Sequence, residues 1–132
     1  MHRIVARFQD GRVLRGFTTD FLPSKDRFHM FSEEGLADAK PAEVLVAQLK
    51  ALFFVKTFEG NPDHEEPSDF PETKAGAGRR IRVIFKDGEI MAGTTQGFDR
   101  ARPGFFVVPV DPGSNNERCF VVTAATDKVL FV

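Results

Sequence analysis

The residues whose types and spacing come nearest to a chemistry are the arginines of the second half of the chain: Arg79, Arg80, Arg82, Arg100 and Arg102. A guanidinium offers a planar fork of donors that grips phosphate or carboxylate oxygens two at a time. Alternation along a strand sets Arg80 and Arg82 on one side. With Arg100 and Arg102 they make a candidate surface for the phosphates of RNA or a cyclic dinucleotide, or for a protein partner. The turn-rich run DPGSNNER, 111–118, adds the side-chain amides of Asn115 and Asn116. Such a loop either stabilises its own turns or meets a partner. The candidate binding residues are therefore Arg80, Arg82, Arg100, Arg102, Asn115 and Asn116.

Other chemistry finds little material. His2, His29 and His64 do not cluster, and the acidic run Asp63 to Glu66 reads as solvated linker, so neither a metal nor a cofactor is expected. No serine sits in a nucleophile elbow, and Cys119 lies in the apolar run RCFVV without a histidine and carboxylate beside it. The glycines of AGAG, 75–78, lack the following Lys-Ser/Thr of a phosphate-gripping loop. No catalytic residue emerges, and a non-enzymatic protein is expected.

Bulk properties narrow the setting. Lys and Arg number 18 against 19 Asp and Glu, so the net charge of −1 gives nucleic acid no general attraction. All 15 aromatic rings other than histidine are phenylalanines, which bring apolar area without a hydrogen-bonding group and point to cores before recognition. The single cysteine allows no internal disulfide, no apolar run approaches the roughly 20 residues that cross a bilayer, and MHRIVARF lacks a signal-peptide core. A cytoplasmic protein without membrane insertion is expected.

The elements that must position these residues are written twice. At a constant offset, residues 3–55 align with 80–132 without a gap: Arg3-Ile4 falls on Arg80-Ile81, Asp10-Gly11 on Asp87-Gly88, Gly16 on Gly93, Phe28 on Phe105 and Phe54-Val55 on Phe131-Val132. Matches spread over a whole unit imply the same spatial order of elements. Each Asp-Gly lies between β-prone segments and predicts a tight hairpin. Strands are predicted at 3–9, 12–20, 27–31, 43–47 and 51–55, and at 80–86, 89–97, 104–109, 119–123 and 128–132. Glycines 16 and 93 would let each second strand bend so that a small sheet closes on itself, with LFFV and VLFV completing each barrel. The Pro- and Gly-rich acidic stretch 58–79 reads as a linker, with Phe58 and Phe70 available to pin it.

The run IRVIFKDGEIMAGTTQGFDRARPGFFVVPVD resembles the Sm-like version of the SH3-like small barrel, through Asp87-Gly88, Gly93, Gly97-Phe98-Asp99 and Phe105 to Val108. The first unit matches in similar order through Asp10-Gly11, Gly16, Asp20-Phe21 and Phe28 to Phe31. The tandem also resembles an uncharacterised bacterial domain associated with signalling proteins, including some with cyclic-dinucleotide modules. These resemblances imply an all-β fold of two tandem SH3-like (Sm-like) barrels, at 1–57 and 80–132, joined by the linker 58–79. They imply a regulatory or protein-interaction module, working through a protein partner or self-association. The alternative is a phosphate-recognising module using the second-barrel arginines.

Overall fold

A computed structural model describes residues 1–32, 40–59, 78–110 and 113–132. They form ten strands: β1 (His2–Phe8), β2 (Val13–Thr18), β3 (Arg27–Ser32), β4 (Ala42–Leu45), β5 (Leu49–Val55), β6 (Arg79–Phe85), β7 (Ile90–Thr95), β8 (Gly104–Pro109), β9 (Asn116–Val122) and β10 (Thr126–Phe131). Short 3-10 turns, Val46–Gln48 and Thr123–Ala125, lead into β5 and β10. The protein is all-β. The offset that carries Arg3 onto Arg80 also carries β1, β2 and β3 onto β6, β7 and β8 residue for residue.

Local chemistry explains the repetition. Gly11 and Gly88 hold φ of 96° and 91°, a conformation that costs glycine nothing. In the first turn the Phe8 N–H donates to the Arg12 carbonyl at 2.9 Å, and the Asp10 carboxylate accepts from the Arg12 N–H at 3.0 Å. In the second, Phe85 and Glu89 repeat the backbone bond at 2.9 Å and Asp87 repeats the carboxylate bond at 3.0 Å. A Cβ at Gly16 or Gly93 would run into the carbonyl of Phe31 or Val108 on the adjoining strand. The close approach of each second strand to the third therefore depends on glycine.

Two closed small barrels do not form, and the Sm-like or SH3-like assignment is corrected with them. The strands make one open antiparallel sheet in the order β10-β6-β7-β8-β9-β5-β1-β2-β3-β4. The cause lies in β5, expected to complete its own unit. It pairs with β1 on one side and with β9 of the other half on the other, from Ala51 opposite Val121 to Val55 opposite Asn116. Its backbone groups are satisfied across the halves, which leaves it no edge with which to close the first unit. Of the expected linker, residues 60–77 lie outside the described residues, including Asp63 to Glu66, His64, Phe70 and 75–77; so do Asp111 and Pro112.

Side-chain alternation then builds two cores. Ile4, Ala6, Phe8, Leu52, Phe54, Phe120 and Val122 join a cluster completed by Phe28, Met30, Val44, Val46 and Leu49. Val5, Ala51, Phe53, Val55, Cys119 and Val121 take the opposite parity and join Ile81, Val83, Phe85, Phe105 and Val107 in the other. The central strands β9, β5 and β1 are thus buried on both faces. Lys50 on β5 adds a polar tie between the halves: its Nζ lies 2.7 Å from Asp87 and 3.1 Å from Glu89, with the Phe85 ring centroid 4.7 Å away. No helix among the described residues is long and apolar enough to cross a membrane.

Candidate binding cleft

The joint between the halves leaves a cleft of about 540 Å³. Its apolar floor comes from Val5 on β1, Phe53 and Val55 on β5, Met91 on β7 and Cys119 on β9. Its polar groups are Arg7 on β1, Arg15 on β2, Glu59, Glu89, Asn115 and Asn116. Register explains the arginines: Arg15 stands opposite Val5 in the β1–β2 ladder, and directly opposed residues share a face. Arg7, two residues beyond Val5, joins them and lies 5.7 Å from the centroid of the Phe53 ring. Both arginines are exposed, and neither is paired with a carboxylate among the described residues.

The predicted residues are dispersed. Arg80 and Arg82 are half-buried on β6, opposite Thr94 and Ala92 of β7, on the strand face away from Ile81 and Val83. Arg100 and Arg102 are exposed between β7 and β8. Arg100 lies 5.9 Å from the Phe98 ring centroid, and the Arg102 N–H donates to the Asp99 carbonyl at 3.1 Å. None of these four lines the cleft, whereas Asn115 and Asn116 do.

Asn115 spends its amide on structure. Its Nδ2 donates to the Thr57 carbonyl at 2.8 Å, while its Oδ1 accepts from the Thr57 N–H at 3.1 Å and from the Thr57 hydroxyl at 3.2 Å. This prolongs the β5–β9 joint past Val55. Asn116 stands opposite Val55, and its N–H donates to the Ser114 hydroxyl at 3.0 Å. Arg7 and Arg15 were not singled out from sequence. The alternation Arg3, Val5, Arg7 in RIVAR carried a signal for Arg7; Arg15 needed the hairpin register.

The reactive groups elsewhere are a buried thiol and a hydrogen-bonded histidine–carboxylate pair. Cys119 is 1% exposed, and burial pushes its thiol well above the ordinary cysteine range, so it stays protonated. His29 and Asp20 do meet: Nδ1 lies 2.7 Å from Oδ2, and the His29 N–H donates to Oδ1 at 2.9 Å. The Thr18 hydroxyl also donates to Asp20 Oδ1, at 3.2 Å. The carboxylate thus stands between hydroxyl and imidazole, the wrong order for a histidine that takes a proton from a nucleophile. Burial acts to raise the Asp20 pKa, but the hydrogen bonds from His29 and Thr18 together outweigh it and hold the carboxyl below its ordinary value. Among the described residues no three His, Cys, Asp or Glu side chains gather to hold a metal.

Fold and cleft define an all-β protein of duplicated strand pattern whose two halves share one sheet. The chain belongs to DUF6982, a family of unknown function, whose model matches residues 1–132. No curated protein and no solved structure matches it. The expected kinship with Sm-like barrels and signalling-associated proteins is accordingly replaced by membership of this family.

Proposed function

We propose that the protein is a non-enzymatic interaction module of the cytoplasm, whose cleft takes a short segment of a protein partner. The segment carries an apolar side chain next to an acidic one. The observation that supports this reading is the placement of Arg7 and Arg15 beside the floor of Phe53, Val55 and Met91, with neither guanidinium in ion-pair contact with a described carboxylate. A guanidinium at the edge of an apolar floor rewards a ligand that brings both an anion and a hydrocarbon surface. Glu59 and Glu89 line the same cleft and repel a polyanion, which weighs against nucleic acid there.

Titration of isotope-labelled protein tests the reading. Peptides with Phe or Leu beside Asp or Glu should give saturable, salt-sensitive amide shifts around Arg7, Arg15 and Met91. Amidating the acid, or introducing Arg7→Glu with Arg15→Glu, should weaken binding by about tenfold or more, the scale of one partly desolvated charge pair. Saturable binding of a cyclic dinucleotide or short RNA, lost on Arg80→Ala with Arg100→Ala, would put phosphate recognition in its place.

A further inference from the structure

We infer that the protein forms a closed two-fold dimer by pairing β10 of one copy with β10 of a second. Among the described residues the sheet has two free edges, β10 and β4, and the repeat shows what each lacks. Leu130, Phe131 and Val132 are 42%, 40% and 65% exposed, while their counterparts Phe53, Phe54 and Val55 are 7%, 3% and 6% exposed. The difference follows the partner strand. Phe131 keeps the neighbours its own half provides, Phe98 at 5.6 Å and Arg79 at 4.1 Å, just as Phe54 keeps Phe21 at 5.8 Å and His2 at 5.6 Å. Phe54 gains Arg118 at 4.4 Å and Phe106 at 6.2 Å from the half that pairs with β5. No described residue pairs with the outer edge of β10. It is the established β5 docking edge with its occupant missing, and an exposed apolar edge strand recruits another strand.

The other free edge of this chain does not supply that strand. By the repeat, Arg118, Cys119 and Phe120 of β9 correspond to Pro41, Ala42 and Glu43 at β4. Proline has no N–H for a ladder, and Glu43, 3.3 Å from Arg27, would bring a carboxylate to the place where Phe120 fills an apolar cluster. Head-to-tail extension, which would grow an open filament, is thus guarded against at β4. Among the described strands, the complement that remains is β10 itself, paired antiparallel like every other neighbour in the sheet.

Symmetry then selects the register. A two-fold axis normal to the sheet keeps each face on its own side, so residues of equal parity oppose each other. Centring on Lys128 sets lysine against lysine, and centring on Val129 sets Asp127 against Phe131 of the second copy. Centring on Leu130 sets leucine against leucine and Val129 against Phe131, covering the exposed apolar residues. The dimer is a continuous twenty-stranded sheet centred on Leu130.

Sedimentation over a concentration series should show a reversible monomer–dimer equilibrium. Leu130→Lys should weaken it by at least tenfold with the circular dichroism unchanged, because Leu130 is exposed in the single chain. Leu130→Cys should oxidise to a covalent dimer, since antiparallel partners stand about 4.5–5.5 Å apart between Cα atoms, within disulfide reach. The parent protein, whose Cys119 is 1% exposed, should not. Three results would each overturn the inference: a monomer up to about 1 mM, where even weak pairing registers; a dimer that Leu130→Cys fails to lock; or a cross-linked ladder from Ala42→Cys with Leu130→Cys, the signature of head-to-tail assembly.

Discussion

Phe120 is carried by a second-half strand yet fills the first-half cluster, fully buried, with ring centroids 5.1 Å from Phe21 and 5.2 Å from Phe106. Removing the ring leaves a cavity that strands from both halves cannot close together. Phe120→Ala should therefore cost about 3–5 kcal/mol in urea unfolding, against less than about 0.5 kcal/mol for the half-exposed Val108→Ala. Asp20 offers a second measurement at this scale. Its carboxyl is held below the ordinary value, so its contribution is present above the unfolded pKa of about 4 and is lost as pH falls through the folded one. The difference in stability between the parent and Asp20→Asn should be fully present above the unfolded pKa and shrink as pH falls below it, through the lowered folded value. Neither residue advertised its role. Phe120 was one apolar residue in RCFVV, and Asp20 entered only beside Phe21 in the resemblance of the first unit to a small barrel.

At the scale of strands and turns, the glycine of each second strand is the sharpest test. A methyl at Gly93 would meet the Val107 side chain and the Val108 carbonyl, while one at Gly97 meets nothing within 4 Å. Gly93→Ala should lower stability by about 1–3 kcal/mol, as overpacking does, and Gly97→Ala should change it little; thermal unfolding separates them. The Asp-Gly turns and the alternation of IVARF and RIRVIF made all ten strands readable, because those signals are local. The partner of a sheet edge is not a local property. LFFV has the same apolar pattern whether it closes its own unit or lies against a strand sixty-odd residues away in sequence, and the choice between two barrels and one sheet hung on that pairing.

For the whole molecule, the shared strands decide how the protein unfolds. Each core uses side chains from both halves, and β9, β5 and β1 wall both cores at once. The cleft has the same origin, with Arg7 and Arg15 from one half and Met91 and Asn116 from the other. The strands that carry these walls were legible in the sequence, but of the cleft residues only Asn115 and Asn116 were singled out, because which walls face each other depends on the β5–β9 pairing. Two independent barrels would melt separately, whereas a shared sheet cannot lose one half without exposing the other half's rings to water. Denaturant unfolding should accordingly give a single transition by every probe, with the amides of Ala51 to Phe54 exchanging only through global unfolding. A fragment spanning 78–132 should fail to fold cooperatively, since Val5, Ala51, Phe53 and Val55, which complete its core, stay behind on the other piece. Two separable transitions, or a fragment with native-like protection, would mean that the β5–β9 ladder joins two bodies that stand on their own.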